Sequence, residues 1–253
     1  MILGVEISRS RNVRSYPEEH FTPVVSCLVW EAMSEWEFGE ITSCHAMMDE
    51  GISVAKELND KNSLAIALSY AANLAVNERN PAEVDRLASD LIELSTRHNF
   101  AYWLPLADVY RAWARSASGD TAKGIPGIEH GIRDYRATGA MVLMPYLLTL
   151  KAEALYLADR TSEALEAISE AEAHVVRFEE SRGCAELHRL RGVLLAAIGA
   201  DETQIEASFC AAVSTAKQQK SVSLEKRAEA TYAEYRRQKA GAPGGRGFRL
   251  PLW

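Results

Sequence analysis

The 253-residue chain has no run of about 18 uninterrupted apolar residues, so no transmembrane helix is expected. Its first residues, MILGVEISRSRNVRSYPEE, lack a long apolar stretch and carry Glu6 and Arg9 almost at once, which argues against a secretory signal; a cytoplasmic location is the expectation. Cysteine is scarce: Cys27, Cys44, Cys184 and Cys210 are scattered, with no C-x-x-C pair and no histidine at finger spacing. That excludes a disulfide framework and a zinc finger, and the four read as buried, reduced thiols. Positive charge is in deficit, with 28 basic against 35 acidic residues and a net charge of −7. A nucleic-acid partner is therefore not expected, because phosphate contacts need a clustered positive field. No membrane partner is expected either.

Catalytic signatures are also missing. The six histidines include no H-E-x-x-H and no i, i+4 pair, so no metal site is expected. There is no phosphate-binding G-x-x-x-x-G-K-[ST], no G-x-S-x-G elbow and no helix-turn-helix with a basic recognition helix. The acids crowded at Glu163, Glu166, Glu170 and Glu172, and at Glu202 and Glu206, alternate with Ala and Leu on helical patterns. They read as solvent faces rather than as carboxylate pairs in a cleft. The expectation is a chain that is not an enzyme and takes no cofactor.

What the sequence does contain is a repeat. Ala32, Ala72, Ala112 and Ala152 stand 40 residues apart, and Val193 follows one residue late. Seven positions on run Gly39, Arg79, Gly119, Asp159 and Ala200, each where one apolar pattern ends and another begins. Two further columns, Met48, Ala88, Ile128, Ile168, Phe209 and Gly51, Leu91, Gly131, Ala171, Ala212, keep the same step. A fixed period of this size marks stacked supersecondary units, none of which buries its apolar face alone. A small residue recurring mid-helix is what a close helix crossing requires.

Helix-period spacing recurs from Phe21 to about Gln238, with no period-2 strand between. The first helices of each pair (A) are expected at about 24–37, 62–78, 101–117, 141–158 and 183–198. The second (B) are expected at about 40–58, 80–98, 120–137, 161–180 and 201–218, with an unpartnered last helix at about 221–238. Polar, Gly- or Pro-bearing turns separate them, and Pro81 fits a first helical turn, where its missing N–H costs nothing. The expected fold class is all-α, an α-solenoid of about five antiparallel helix pairs plus a terminal helix. The expected division is an irregular extension over 1–20, the helical repeat domain over 21–238, and a Gly/Pro-rich basic tail over 239–253.

The pattern resembles the tetratricopeptide repeat, running at 40 rather than the usual 34 residues. The runs Arg111 to Gly119, Gly124-Ile125, Tyr135 to Ala140, Ala185 to Leu195 and Ala207 to Ala212 look like the helical region behind the ATPase module of bacterial adenylate or guanylate cyclase-type and LuxR-type regulators. The resemblance covers about residues 23–235. It implies a binding scaffold related to the sensing arm of such regulators. In that family the nucleotide-binding loop and cyclase carboxylates belong to upstream modules, so it carries over no catalytic residue, and a stand-alone or truncated relative is expected. The alternative is a fragment of a nucleotide-handling enzyme or transcriptional regulator.

The tail, Gly241 to Gly247 and beyond, follows no strand and opens no helix, so it reads as disordered rather than as a phosphate loop. From Tyr235 onward it holds five basic residues and no acid. The resemblance implies that A helices line the binding surface. Counting from the small column puts Trp36, Asn73, Trp113, Tyr146, Glu153 and Tyr156 on that face as a candidate groove for a protein or peptide partner. The fifth row on the same count is Leu187, Leu190, Leu194 and Ala197. Trp36 and Trp113 packed between repeats would satisfy the same spacing. The unpartnered last helix offers a surface to a second copy, as a homodimer.

Overall fold

A computed structural model describes residues 22–179, 182–241 and 247–252. The extension expected over 1–20 lies outside the described residues. Eleven helices follow one another among the described residues, and none of these residues forms a strand. They are α1 (Pro23–Phe38), α2 (Ile41–Glu57), α3 (Lys61–Asn77), α4 (Pro81–His98), α5 (Trp103–Ala117), α6 (Thr121–Ala137), α7 (Met144–Leu157), α8 (Thr161–Phe178), α9 (Cys184–Ala197), α10 (Glu202–Gln219) and α11 (Val222–Gly241). The fold is all-α, of the α-solenoid class, with five helix pairs and a terminal helix. The helix ends lie within about three residues of the periodicity reading. No described helix is long and apolar enough to cross a membrane.

The chain forms two compact units, dividing after Ala114. In the first, α1 packs on α2, α3 on α4, and the A helices α1 and α3 lie against each other. Asp60 ties this A–A contact at its start: it caps α3 through the Ser63 amide at 3.1 Å and accepts the Thr22 hydroxyl, just before α1, at 2.6 Å. In the second, α7 packs on α8, α9 on α10, and the A-type helices α7, α9 and α11 follow side by side.

The small columns have a steric cause. A Cβ on Gly51 would stand 3.1 Å from Val29 Cγ1, so α1 and α2 cross where only a minimal side chain fits. Ala32, Ala72, Ala112 and Ala152 are all buried. The fifth repeat departs from the count made on the sequence. Left-handed residues close the A helices at Gly39, Arg79, Gly119, Asp159 and Gly199, at an unbroken 40-residue step, whereas the B helices are closed by Asn59, Asn99, Gly139, Glu179 and Lys220, the last step being 41. The additional residue therefore lies in the α9–α10 turn. Gly192, not Val193, completes the small column, and Gly199, not Ala200, completes the turn column. Packing agrees, since a Cβ on Gly192 would come within 2.8 Å of the Phe209 ring.

The thiols depart from the expectation as well. Cys44 is buried, and that burial pushes its thiol up to about 12, but Cys27 and Cys184 are half-buried and Cys210 is exposed. Cys210 stands 41 residues after Ser169, another exposed B-helix position, so it is not the buried thiol expected from the sequence.

Candidate functional site

The structure distributes the six candidate groove residues over both units. Trp36 on α1, Asn73 on α3 and Trp113 on α5 belong to the first; Tyr146, Glu153 and Tyr156 share one face of α7 in the second. Trp36, Trp113, Glu153 and Tyr156 are 4, 1, 1 and 4% exposed, so their side chains serve largely as packing. Asn73 and Tyr146 are half-buried, and Asn73 accepts a hydrogen bond from the Asn77 amide at 3.4 Å.

Counting the fifth A helix from Gly192 changes which residues face the same way as the α7 row. Tyr146, Thr149, Glu153 and Tyr156 correspond to Glu186, Arg189, Val193 and Ala196 on α9, 40 residues on. A further 42 residues on lie Ala228, Thr231, Tyr235 and Gln238 of α11, again at i, i+3, i+7 and i+10. The row expected from the sequence, Leu187, Leu190, Leu194 and Ala197, sits one position around the helix, and its three leucines are buried.

Arg189 sits at the centre of this face with no exposed surface. Its guanidinium donates to both carboxylate oxygens of Glu186, at 2.9 and 2.7 Å, and to the Thr231 hydroxyl at 3.2 Å. The bond to Thr231 joins equivalent positions of α9 and α11. Arg227 stands 3.8 Å from the same Glu186 carboxylate. A buried cation is tolerated only when paired and hydrogen-bonded in this way, so the cluster holds α9 and α11 in one arrangement.

Across the end of this face lies the chain's own segment Gly247–Leu252. Its backbone is received at one equivalent position on each helix. The Tyr156 hydroxyl donates to the Leu250 carbonyl at 2.9 Å, the Ala196 carbonyl accepts the Phe248 amide at 3.0 Å, and the Gln238 side-chain amide donates to the Arg249 carbonyl at 3.3 Å. Ala196 is among the last residues of α9, whose carbonyls have no partner within the helix, and its carbonyl accepts both the Gly199 amide at 3.1 Å and the Phe248 amide. Burial pushes the Tyr156 phenol above its ordinary range, outweighing the nearby Arg249 charge, so it stays a neutral donor.

Side chains add to the backbone contacts. Arg249 and Pro251 are exposed while Leu250 and Leu252 are buried, the alternation of an extended strand. Arg249 pairs with Asp159 beside the end of α7. Phe248 meets the Tyr235 ring edge-on, with centroids 5.5 Å apart. Gly247 has φ +79°, and a Cβ there would come 2.9 Å from the Ala197 carbonyl oxygen. No other residue type combines that conformation with that approach.

The tail was expected to be disordered from 239 onward. Instead, α11 runs to Gly241 and residues 247–252 pack on the helices; residues 242–246 and Trp253 lie outside the described residues. Glycine and proline count against a helix, but not against an extended segment whose polar groups are met by helix ends and side chains. Among the described residues no group of three or more His, Cys, Asp or Glu could hold a metal ion. Of the acids expected on solvent faces, Glu163, Glu166, Glu170 and Glu202 are exposed, whereas Glu172 and Glu206 are half-buried.

No family model matches the chain. A protein of Rhizobium meliloti (strain 1021) described as uncharacterized is 24% identical over 203 residues, which are 80% of this chain and 20% of that protein. The chain thus spans about a fifth of the length of the curated relative it matches. Among solved structures, Bacillus thuringiensis PlcR in complex with the peptide PapR7 and DNA superposes with a TM-score of 0.58 at 15% identity, over 87% of this chain and 74% of that one. The apo form of RapI superposes with a TM-score of 0.60 at 9% identity, over 95% and 92% of the two chains. At these identities the likeness is one of fold, a tetratricopeptide-like helical repeat.

Proposed function

We propose that this protein is a non-catalytic helical-repeat scaffold that binds a protein or peptide partner on its A-helix faces. The observation that carries this reading is the second unit's hold on residues 247–252, in which Tyr156, Ala196 and Gln238 take successive main-chain groups of an extended segment. Main-chain recognition of an extended peptide, with side-chain selection at alternate positions, is a general binding mode. The PlcR structure, a complex with the peptide PapR7, is consistent with it. The candidate positions Trp36, Asn73, Trp113, Tyr146, Glu153 and Tyr156 enter the proposal in two roles. Half-buried Asn73 of the first unit and Tyr146 of the second contact the partner, as does the Tyr156 hydroxyl, while buried Trp36, Trp113 and Glu153 each hold the face of their own unit in shape.

Kinship with the sensing arm of a bacterial signalling ATPase or cyclase is part of the proposal and rests on the resemblance of runs such as Arg111 to Gly119; the relative of which this chain spans only 20% has room for further modules. The PlcR complex also contains DNA, but the net charge of −7 argues against a nucleic-acid partner here. A cytoplasmic site of action follows from the same reading.

A photo-crosslinking residue placed at Asn73 or Tyr146, with matched controls at the exposed B-helix positions Arg86 and Glu163, tests the face. The same partner recovered from both A-face positions and from neither control is expected. Equal recovery from A and B positions, or phosphate release from nucleotide by the purified protein, overturns the proposal.

A further inference from the structure

We propose that the face made by Tyr156, Ala196 and Gln238 is a peptide site already filled in cis by residues 247–252, and that its external ligand is an extended peptide of the pattern aromatic, cation, leucine, any residue, leucine. The inference rests on the proposed peptide-binding function and adds to it the chemistry of the ligand and the way access is controlled.

The ligand chemistry is read from what the site does to its own segment. Its three backbone hydrogen bonds are independent of side chain and fix an extended path. Selection comes from alternate residues: Leu250 and Leu252 are 1 and 4% exposed, whereas Pro251 between them faces solvent and is free to vary. Asp159 selects a cation at the Arg249 position, where the nearby carboxyl ends of α7 and α9 add negative potential. The Tyr235 edge selects an aromatic ring before it.

Occupation in cis has its own mark in the sequence. Gly247 reaches the Ala197 carbonyl with a backbone conformation that other residues adopt only under strain, so the segment enters the site through a position fitted to it. A short tether gives such a segment an effective concentration on the order of millimolar. An external peptide therefore competes with the tethered one, and binds weakly until the cis segment leaves.

The test uses the full chain and a fluorescent peptide with the sequence of residues 247–252, Gly-Phe-Arg-Leu-Pro-Leu. Gly247→Val leaves every residue of the receiving face unchanged and expels only the tethered segment. The variant is expected to bind the peptide on the order of tenfold or more tightly than the unaltered chain, by fluorescence anisotropy. Adding Tyr156→Phe to Gly247→Val removes one neutral hydrogen bond and is expected to weaken binding about fivefold. Amide exchange at Phe248 is expected to be slow in the unaltered chain and fast in Gly247→Val. Should the variant melt early, Leu250→Asp with Leu252→Asp releases the segment by a second route and is expected to give the same gain.

Equal affinity with and without the cis segment, or fast exchange of the Phe248 amide in the unaltered chain, overturns occupation in cis; partner binding on the A-helix faces is then decided by the crosslinking experiment alone. Absence of peptide binding by every released variant overturns this site and its ligand chemistry. Failure of the crosslinking experiment alongside tight peptide binding would instead fall on the broader proposal about the partner.

Discussion

Replacing Gly192 with Ala sets two effects of known size against each other. In a helix interior Ala is more favourable than Gly by about 1 kcal/mol, and Gly192 lies well inside α9, so propensity alone predicts a more stable protein. Against this, the new Cβ would stand 2.8, 2.9 and 3.0 Å from three carbons of the Phe209 ring, where contact distances of about 3.5–4.0 Å are normal. The ring cannot simply swing away. Phe209 is fully buried, stacked on Tyr232 at 5.3 Å and packed on Tyr235 at 5.6 Å. Overpacking of this kind costs about 1–3 kcal/mol, so the net expectation is a loss of about 1 kcal/mol. For a chain of this size that is a fall of about 2–4 °C in Tm, measured by thermal unfolding followed through the helical signal, with urea unfolding as a check. The Phe209→Leu background decides the cause. With the ring gone, Gly192→Ala is expected to turn stabilising by about 1 kcal/mol, so the two substitutions should couple strongly. A Gly192→Ala protein that is more stable in the natural background, or a cycle with no coupling, would refute both the steric argument and the register in which Gly192 completes the small column.

Two further predictions concern charged groups that join neighbouring helices, Arg189 and Asp60. Arg189→Ala removes a fully buried cation and leaves Glu186 without its bidentate partner, so a loss of about 3–5 kcal/mol is expected in urea unfolding, with Glu186→Gln added to it recovering part of the loss. At Asp60, burial pushes the carboxyl upward, but the Ser63 and Thr22 hydroxyls and the α3 amides together outweigh it and hold the group below the ordinary carboxylate range. A folded-state pKa below the unfolded one means the contribution is present above the unfolded value, about 3.9, and is lost as pH falls through the folded value. Asp60→Ala is therefore expected to cost about 1 kcal/mol at pH 7, a difference that shrinks in melts below about pH 4; a difference that does not vary with pH would refute it.

Much of the fold was legible because a helical repeat writes its packing into the sequence. Ala32, Ala72 and Ala112 recur because the same crossing recurs, and a residue too large at any of them would push two helices apart. The boundary residues were equally readable: Pro81 begins α4, and Asp60, Asn80, Asp120 and Asp201 accept amides at the starts of α3, α4, α6 and α10. The fifth repeat was misread at one residue because Gly192 and Val193 are both buried and both small enough to extend the column. The left-handed backbone at Gly199 and the approach of Gly192 to the Phe209 ring separate them, and a glycine near a helix end does not announce which of its neighbours turns.

That single residue governed how the candidate site was seen. With α9 counted from Val193, its face showed three leucines and gave no reason to join it to Tyr156. Counted from Gly192, it shows Glu186, Arg189 and Ala196, which meet Thr231 and the segment at Phe248. Composition hid the segment itself, since Gly and Pro mark poor helix formers without saying whether an extended chain finds partners.

By itself the sequence determined the all-α class, the 40-residue repeat, the helix limits and the want of catalytic motifs, because these depend on local periodicity and on residue types. Tertiary structure alone decided which helix faces meet, that Trp36, Trp113, Glu153 and Tyr156 are buried, and that residues 247–252 lie across α7, α9 and α11. Those outcomes join residues as many as 94 positions apart, as Tyr156 and Leu250 are, through one helix-end carbonyl, one hydroxyl and one side-chain amide. No spacing rule along the chain encodes a contact of that kind, because its partners are set by how the helices stack.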